Sequence, residues 1–433
     1  MIRLNRELKN RESEGNPIKV VVVGLGFMGK SLFVQLCGLK GFKPVMIISR
    51  RRESCEEALK SAGISADKSL WVTDAKEAEK AIAKGLIPYG TDIKLASQVK
   101  IADCVVDATG DPVDGAELAE DTIKAGIHMV SLNVEADMCV GPYLMELADE
   151  RNVVYTGTAG DEPGSAVELW EFANLLGLEV LAIGKGKNNP IDYGATPDSV
   201  KEQAKKSGLA PKMLCSFIDG TKTMGELCLM ANATGMVPDV VGGHGPKATA
   251  DELATTFRLK EDGGILEKYG IVEYVRGVAP GVFVIVTHDK EIIKEELTFL
   301  KMGEGPNYAL YRPYHLTSIE TPISIARAVI DGVATIKPNG KKPVAAVPAV
   351  AKRDLLKDET FDGIGGDMVL GSLMSWEDFI HNSCMPISLL ERGVKVKQDI
   401  SKGAVITWSD VEIVEETPLL RMYLTMLSRL GGR

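Results

Sequence analysis

The stretch Val20-Val21-Val22-Val23-Gly24-Leu25-Gly26-Phe27-Met28-Gly29 limits what this chain can fold into more than any other. An apolar run of strand length meets Gly-x-Gly-x-x-Gly, and residues 31–36 then read as a helix. In that context, and only there, the glycine pattern predicts dinucleotide binding. Gly24 permits a tight turn, Gly26 carries no side chain to block a pyrophosphate, and Gly29 lets helix and strand pack closely. The helix start at Phe27 and Met28 offers unpaired N–H groups and a partial positive charge to phosphate.

The second apolar strand, Pro44-Val45-Met46-Ile47-Ile48, ends at Ser49-Arg50-Arg51-Arg52. An enzyme that uses the cofactor without a 2′-phosphate usually places an acid here, on the ribose hydroxyls. Ser49, Arg50 and Arg51 stand there instead, and guanidinium groups bind phosphate oxygens through paired, charge-assisted hydrogen bonds. The expectation is NADP(H) rather than NAD(H). The competing reading is a solvated basic start to a helix over residues 53–61.

The 433 residues suffice for two or three domains, and the net charge of −10 argues against bulk nucleic-acid binding and against an anionic membrane surface. No apolar run reaches transmembrane length. Residues 1–17 are charged, lack the apolar core of a signal peptide, and suggest a short helix. Seven cysteines without a C-x-x-C pair fit reduced thiols and a cytoplasmic protein.

Strands and helices alternate through the first third, which predicts an α/β fold: a Rossmann, doubly wound parallel sheet. Beyond it the pattern suggests a central α+β catalytic domain and a small β-rich C-terminal domain, with boundaries at 1–160, 161–342 and 343–433. A helical pattern over 317–330 is a candidate to pack back on the first domain. Ligands of doubly wound sheets sit beyond the carboxyl ends of the strands. Ala108, Thr109 and Gly110 occupy one such end and Asn133 another, so these residues should border the nicotinamide half of the cofactor.

The candidate chemistry lies in the middle of the chain. Residues 184–192 place Lys185, Lys187, Asn188, Asn189 and Asp192 on what reads as one loop after a strand. Hydride transfer to a carbonyl needs a cation or donor near the developing alkoxide, and a lysine can polarise a carbonyl or bind a phosphate. An exposed turn would use the same residue types. Residues 213–218 read as an apolar strand leading into Asp219, Lys222 and Glu226, where a helix from Thr221 would put Lys222 and Glu226 on one face. Asp219 and Glu226, with Glu135, could help hold a Mg²⁺ or Mn²⁺ ion, since hard cations favour oxygen ligands; a surface ion pair is the plainer alternative. Arg312 could fork onto a phosphate or carboxylate, and His315 could move protons near neutral pH. His244, in a glycine-rich loop, is a weaker candidate.

Several runs together resemble one family: residues 22–29, 132–137, 158–164, 184–190, 217–224 and 311–318. The chain is similar over nearly its full length to the homoserine-dehydrogenase-like oxidoreductases that carry a C-terminal SAF module, and residues 398–407 with Asp410-Val411 resemble the SAF signature. That family includes enzymes with 1-deoxy-D-xylulose 5-phosphate reductoisomerase-like activity, which serve isoprenoid precursor synthesis with NADPH and a divalent metal. The resemblance implies a cytoplasmic homodimer acting on a small, phosphorylated substrate. On it, Lys187 and Lys222 stabilise negative charge, Asp192 or His315 handles protons, and Lys185 and Arg312, with Asn188 and Asn189, hold the substrate. A plain homoserine or polyol dehydrogenase is the alternative, although Asp219-Gly220-Thr221-Lys222 stands where Asn-Gly-Thr-Thr-Asn would be expected. A protein that binds NADP without turnover is a third reading.

Overall fold

The computed structural model describes residues 1–431. It resolves into two compact units. The first comprises Met1–Asp161, Leu316–Lys337 and the described residues from Met422; the second comprises Glu162–His315 and Pro338–Arg421.

In the first unit seven strands form one sheet: β1 (Ile18–Val23), β2 (Phe42–Ile48), β3 (Ser69–Trp71), β4 (Ile87–Gly90), β5 (Cys104–Asp107), β6 (His128–Ser131) and β7 (Tyr155–Gly157), in the order β3-β4-β2-β1-β5-β6-β7. Every pairing is parallel. This is the α/β, Rossmann-type sheet that the alternating pattern predicts. Val20 to Val23 are all fully buried, as expected of a central parallel strand covered on both faces. The chain starts at β1, runs to one edge and returns through β5 to the other. The switch point therefore lies between β1 and β5, and the glycine loop opens there.

β4 follows the helix Ala75–Ala83. The helix after β6 spans Val134–Arg151 with Pro142 inside it. Asn133 caps its start by accepting from Ala136 N at 3.1 Å, and burial on nearly all sides offsets the cost of an interior proline. The 317–330 pattern forms a helix, Thr321–Ala326, continued by a π-turn, Arg327–Asp331. Ile325 and Ala326 pack into the same core as Val20 and Val22.

The second unit is α+β. Its five-stranded sheet contains β8 (Glu179–Lys187), β9 (Val237–Pro238), β10 (Ile271–Arg276), β11 (Val282–Thr287) and β12 (Tyr308–Arg312), ordered β12-β11-β8-β10-β9. β8 is central, parallel to β10 and antiparallel to β11. The stretch 213–218 is not a strand: it belongs to a helix, Pro211–Ile218. Pro211 suits a first helical turn, and a six-residue apolar run does not by itself separate strand from helix.

The tail forms separate two-stranded ladders, among them Val394–Val396 with Val411–Ile413. Residues 387–390 form a 3-10 turn, and 400–407 make only isolated pairings. Among the described residues no helix is long and apolar enough to cross a membrane.

Candidate active site

The glycine loop has the geometry its spacing requires. Gly24 sits at φ +88°, and a Cβ there would lie 2.5 Å from the Ala108 carbonyl. A Cβ on Gly29 would lie 1.8 Å from the Gly24 oxygen. A Cβ on Gly26 would project into open space, so the backbone is accessible at that point. Gly26 caps the helix Phe27–Gly38, and Phe27 and Met28 are exposed on its first turn.

Beside this loop, Ala108 N donates to Val23 O at 2.7 Å, which places the β5 end against the β1 end. Asp107, buried below Thr109 and Gly110, accepts from Thr109 N (2.8 Å), Thr109 Oγ1 (2.7 Å) and Asn133 Nδ2 (3.0 Å). Burial pushes its carboxyl up to about 6 against the pull of those donors. Asn133 also donates to the Asp111 carbonyl at 2.8 Å. One network thus ties Thr109 and Asn133 together. At the end of β2, Ser49 is half-buried and Arg50 and Arg51 are exposed. Arg50 Nη1 lies 3.4 Å from Asp111 Oδ2. Arg52 instead pairs with Glu56 at 2.8 Å and lies over the Trp71 ring.

In the second unit the loop expected from residue 184 is, through Lys187, still strand β8. Lys185 and Lys187, two apart, share one face and are both buried. Their surroundings differ sharply. The Lys185 ammonium lies 2.7 Å from Glu162 Oε1 and also pairs with Glu226. Burial opposes its charge, but the two carboxylates outweigh that and hold it firmly protonated. With two carboxylates against one ammonium, Lys185 has no positive charge to spare for the phosphate role expected of it.

Lys187 is compensated far less, with Glu226, Asp219 and Glu162 acting on it only through space. Its Nζ donates to the Phe217 carbonyl at 2.7 Å and meets Asn189 Oδ1 at 3.5 Å. Burial, together with the neighbouring Lys185, brings its pKa down to about 8. Glu226 is pushed up, by burial first and by Glu162 second.

His315 Nε2 stands 3.4 Å from Glu162 Oε1, so Glu162 links it to Lys185. Lys222 lies one turn from Glu226 on the helix Thr221–Thr234, close enough to favour the Glu226 carboxylate. Arg312 ends β12, 3.7 Å from Glu168 and 4.7 Å over the Tyr314 ring. Asn188 and Asp192 are exposed, and Asp192 accepts from Gly194 N at 3.0 Å. His244 is held by Glu273, Nδ1 to Oε2 at 2.8 Å, which raises its pKa.

The structure gives two of the three expected metal ligands lysine partners. Asp219 pairs with Lys352 at 2.7 Å and Glu226 with Lys185, while Glu226 also stands with Glu162 in a carboxylate group that could hold an ion. Glu162 and Lys352 are the important residues that sequence reasoning missed. An acid in the first turn of a helix reads as an ordinary partner of the helix dipole, and Lys352 carries no motif at all.

Residues 160–321 match a family model described as the oxidoreductase DRL catalytic domain. By that match the chain carries an oxidoreductase catalytic domain. No curated protein matches it. Among solved structures it is similar to a probable dehydrogenase from Thermotoga maritima (13% identity, 75% of this chain and 91% of that chain, TM-score 0.43). It is also similar to 1-deoxy-D-xylulose 5-phosphate reductoisomerase from Zymomonas mobilis in complex with NADPH (14%, 72% and 70%, 0.41) and to myo-inositol 2-dehydrogenase from Lactobacillus plantarum (13%, 73% and 91%, 0.38). Similarities of this size do not distinguish one substrate from another.

Proposed function

We propose that the protein uses NADP(H) to interconvert a carbonyl and an alcohol on a small, phosphorylated keto or polyol compound. The observation that carries this reading is Lys187, a buried ammonium with a pKa brought down to about 8, on a strand of the matched catalytic domain. In the reducing direction hydride passes from the cofactor to the carbonyl carbon, and Lys187 stabilises the developing alkoxide and gives it a proton. His315, through Glu162, is the candidate to exchange protons with water. Arg312, stacked on Tyr314, is the candidate for the phosphate.

The preference for the 2′-phosphorylated cofactor rests on Arg50 and Arg51 and on the lack of an acid at 49–52. A reductoisomerase is the specific form that the sequence resemblance suggests. Rearranging a carbon skeleton calls for an ion on adjacent oxygens, and the expected carboxylates face lysines. We therefore rank simple hydride transfer first.

The test is a spectrophotometric NADPH-oxidation screen of phosphorylated ketoses, with and without Mg²⁺ and chelator. Turnover indifferent to chelator is the expected result. In the active pair, Lys187→Met should lower kcat about 10²–10³-fold and leave NADPH binding intact. Turnover unaltered by that change would overturn the reading.

A further inference from the structure

We propose that Lys352 is a positioning residue for the reaction: from the C-terminal segment it pins the end of the helix Pro211–Ile218, whose carbonyl in turn fixes Lys187. This inference rests on Lys187 being the group that polarises the substrate.

The geometry is a chain of short links. Lys352 is nearly fully buried, and its ammonium uses all three donors. It lies 2.7 Å from Asp219 Oδ2 and donates to Ala195 O at 2.9 Å and to Gly366 O at 2.7 Å. Asp219 is the residue that ends the helix. Its second oxygen, Oδ1, accepts from Thr221 N at 2.9 Å, where the next helix begins. The carbonyls just before it are the unsatisfied ones that every helix end leaves. Phe217 O takes the Lys187 ammonium at 2.7 Å, and Ile218 O takes Asp192 N at 2.9 Å. Consecutive residues 217, 218 and 219 therefore bind the candidate catalytic lysine, the segment that follows it, and Lys352.

A second tie runs the same way, from Gly371 N to Thr221 Oγ1 at 2.9 Å. Through Ala195, Lys352 also holds the far end of the segment that carries Asn188, Asn189 and Asp192. A buried ion pair adds little net stability over an apolar pair of like size. What this one supplies is registry, setting where the Phe217 carbonyl stands and hence where the Lys187 ammonium points.

The experiment compares Lys187 acylation by a water-soluble anhydride, read by mass spectrometry, in the wild type and in Lys352→Met. Released from its carbonyl, Lys187 should label several-fold faster while Lys185, held by its own carboxylates, labels as before. Faster labelling of both would mean general loosening and would overturn the inference. On a ketose phosphate turned over in the screen, kcat should fall about 10- to 100-fold with little change in KM. Lys352→Met should also add nothing in a Lys187→Met background. Should Lys352→Met fail to fold because it strands a buried carboxylate, Lys352→Met with Asp219→Asn removes both charges and should show the same two effects. Unchanged Lys187 labelling and kcat in a folded variant would sink this inference alone. Unchanged turnover in Lys187→Met would sink it together with the reading it rests on.

Discussion

Lys185→Met tests the electrostatics of the second unit without any substrate. In the native protein the Lys185 ammonium answers two carboxylates, Glu162 at 2.7 Å and the fully enclosed Glu226. Methionine fills a similar volume but leaves them facing one another. Glu226 is the more deeply enclosed of the two acids, so it is the charge most costly to strand. Breaking one side of a buried pair costs about 3–5 kcal/mol, which for a cooperative unit of this size is a melting decrease of roughly 6–20 °C. The penalty also has a pH signature. With its cation gone, the folded-state pKa of Glu226 lies above the roughly 4.3 of an unfolded glutamate, so the loss is present at neutral pH and shrinks as acid protonates the group. Thermal melts followed by circular dichroism should show the gap between variant and wild type narrowing from pH 7 to pH 5. Adding Glu226→Gln should recover much of it at pH 7. A variant that melts within about 2 °C of wild type at pH 7, or a gap that widens in acid, would refute the assignment of Lys185 as a structural counter-ion.

With a pKa near 8, about one Lys187 in ten is neutral at pH 7, against roughly one in three thousand for an ordinary lysine. In the reducing direction kcat/KM should therefore fall as pH rises through about 8, and in the oxidising direction it should rise; a pH–rate profile flat across that range would contradict the role. Arg50→Ala with Arg51→Ala should weaken NADPH binding by roughly tenfold or more and NADH binding far less, measured by calorimetric titration. Tighter binding of NADH than of NADPH by the unaltered protein would remove the case for the phosphorylated cofactor. Gly29→Ala would place a Cβ 1.8 Å from the Gly24 oxygen, so it should abolish binding of either cofactor form in the same titration; retained affinity would mean that the loop does not hold the pyrophosphate.

The first unit was legible because its information is local. Strand, glycine spacing and helix follow one another within twenty residues, and strand-end rules then placed Thr109 and Asn133 beside them. The second unit was only half legible, and Lys185 and Lys187 show why. Read as a loop, they are two equivalent cations; as alternate residues of β8 they share a face, and only long-range packing separates them. The helices beginning at Glu162 and Thr221 bring both carboxylates to Lys185, while the end of the helix Pro211–Ile218 brings Lys187 a neutral carbonyl. One lysine becomes a counter-ion and the other a cation with its pKa lowered. No spacing rule covers partners separated by 23, 30 and 41 residues. The sequence could nominate the cations, but the choice between them belongs to tertiary structure. For that reason the distant Lys352, which holds the helix end in place, bears on the chemistry only through the placement of Lys187.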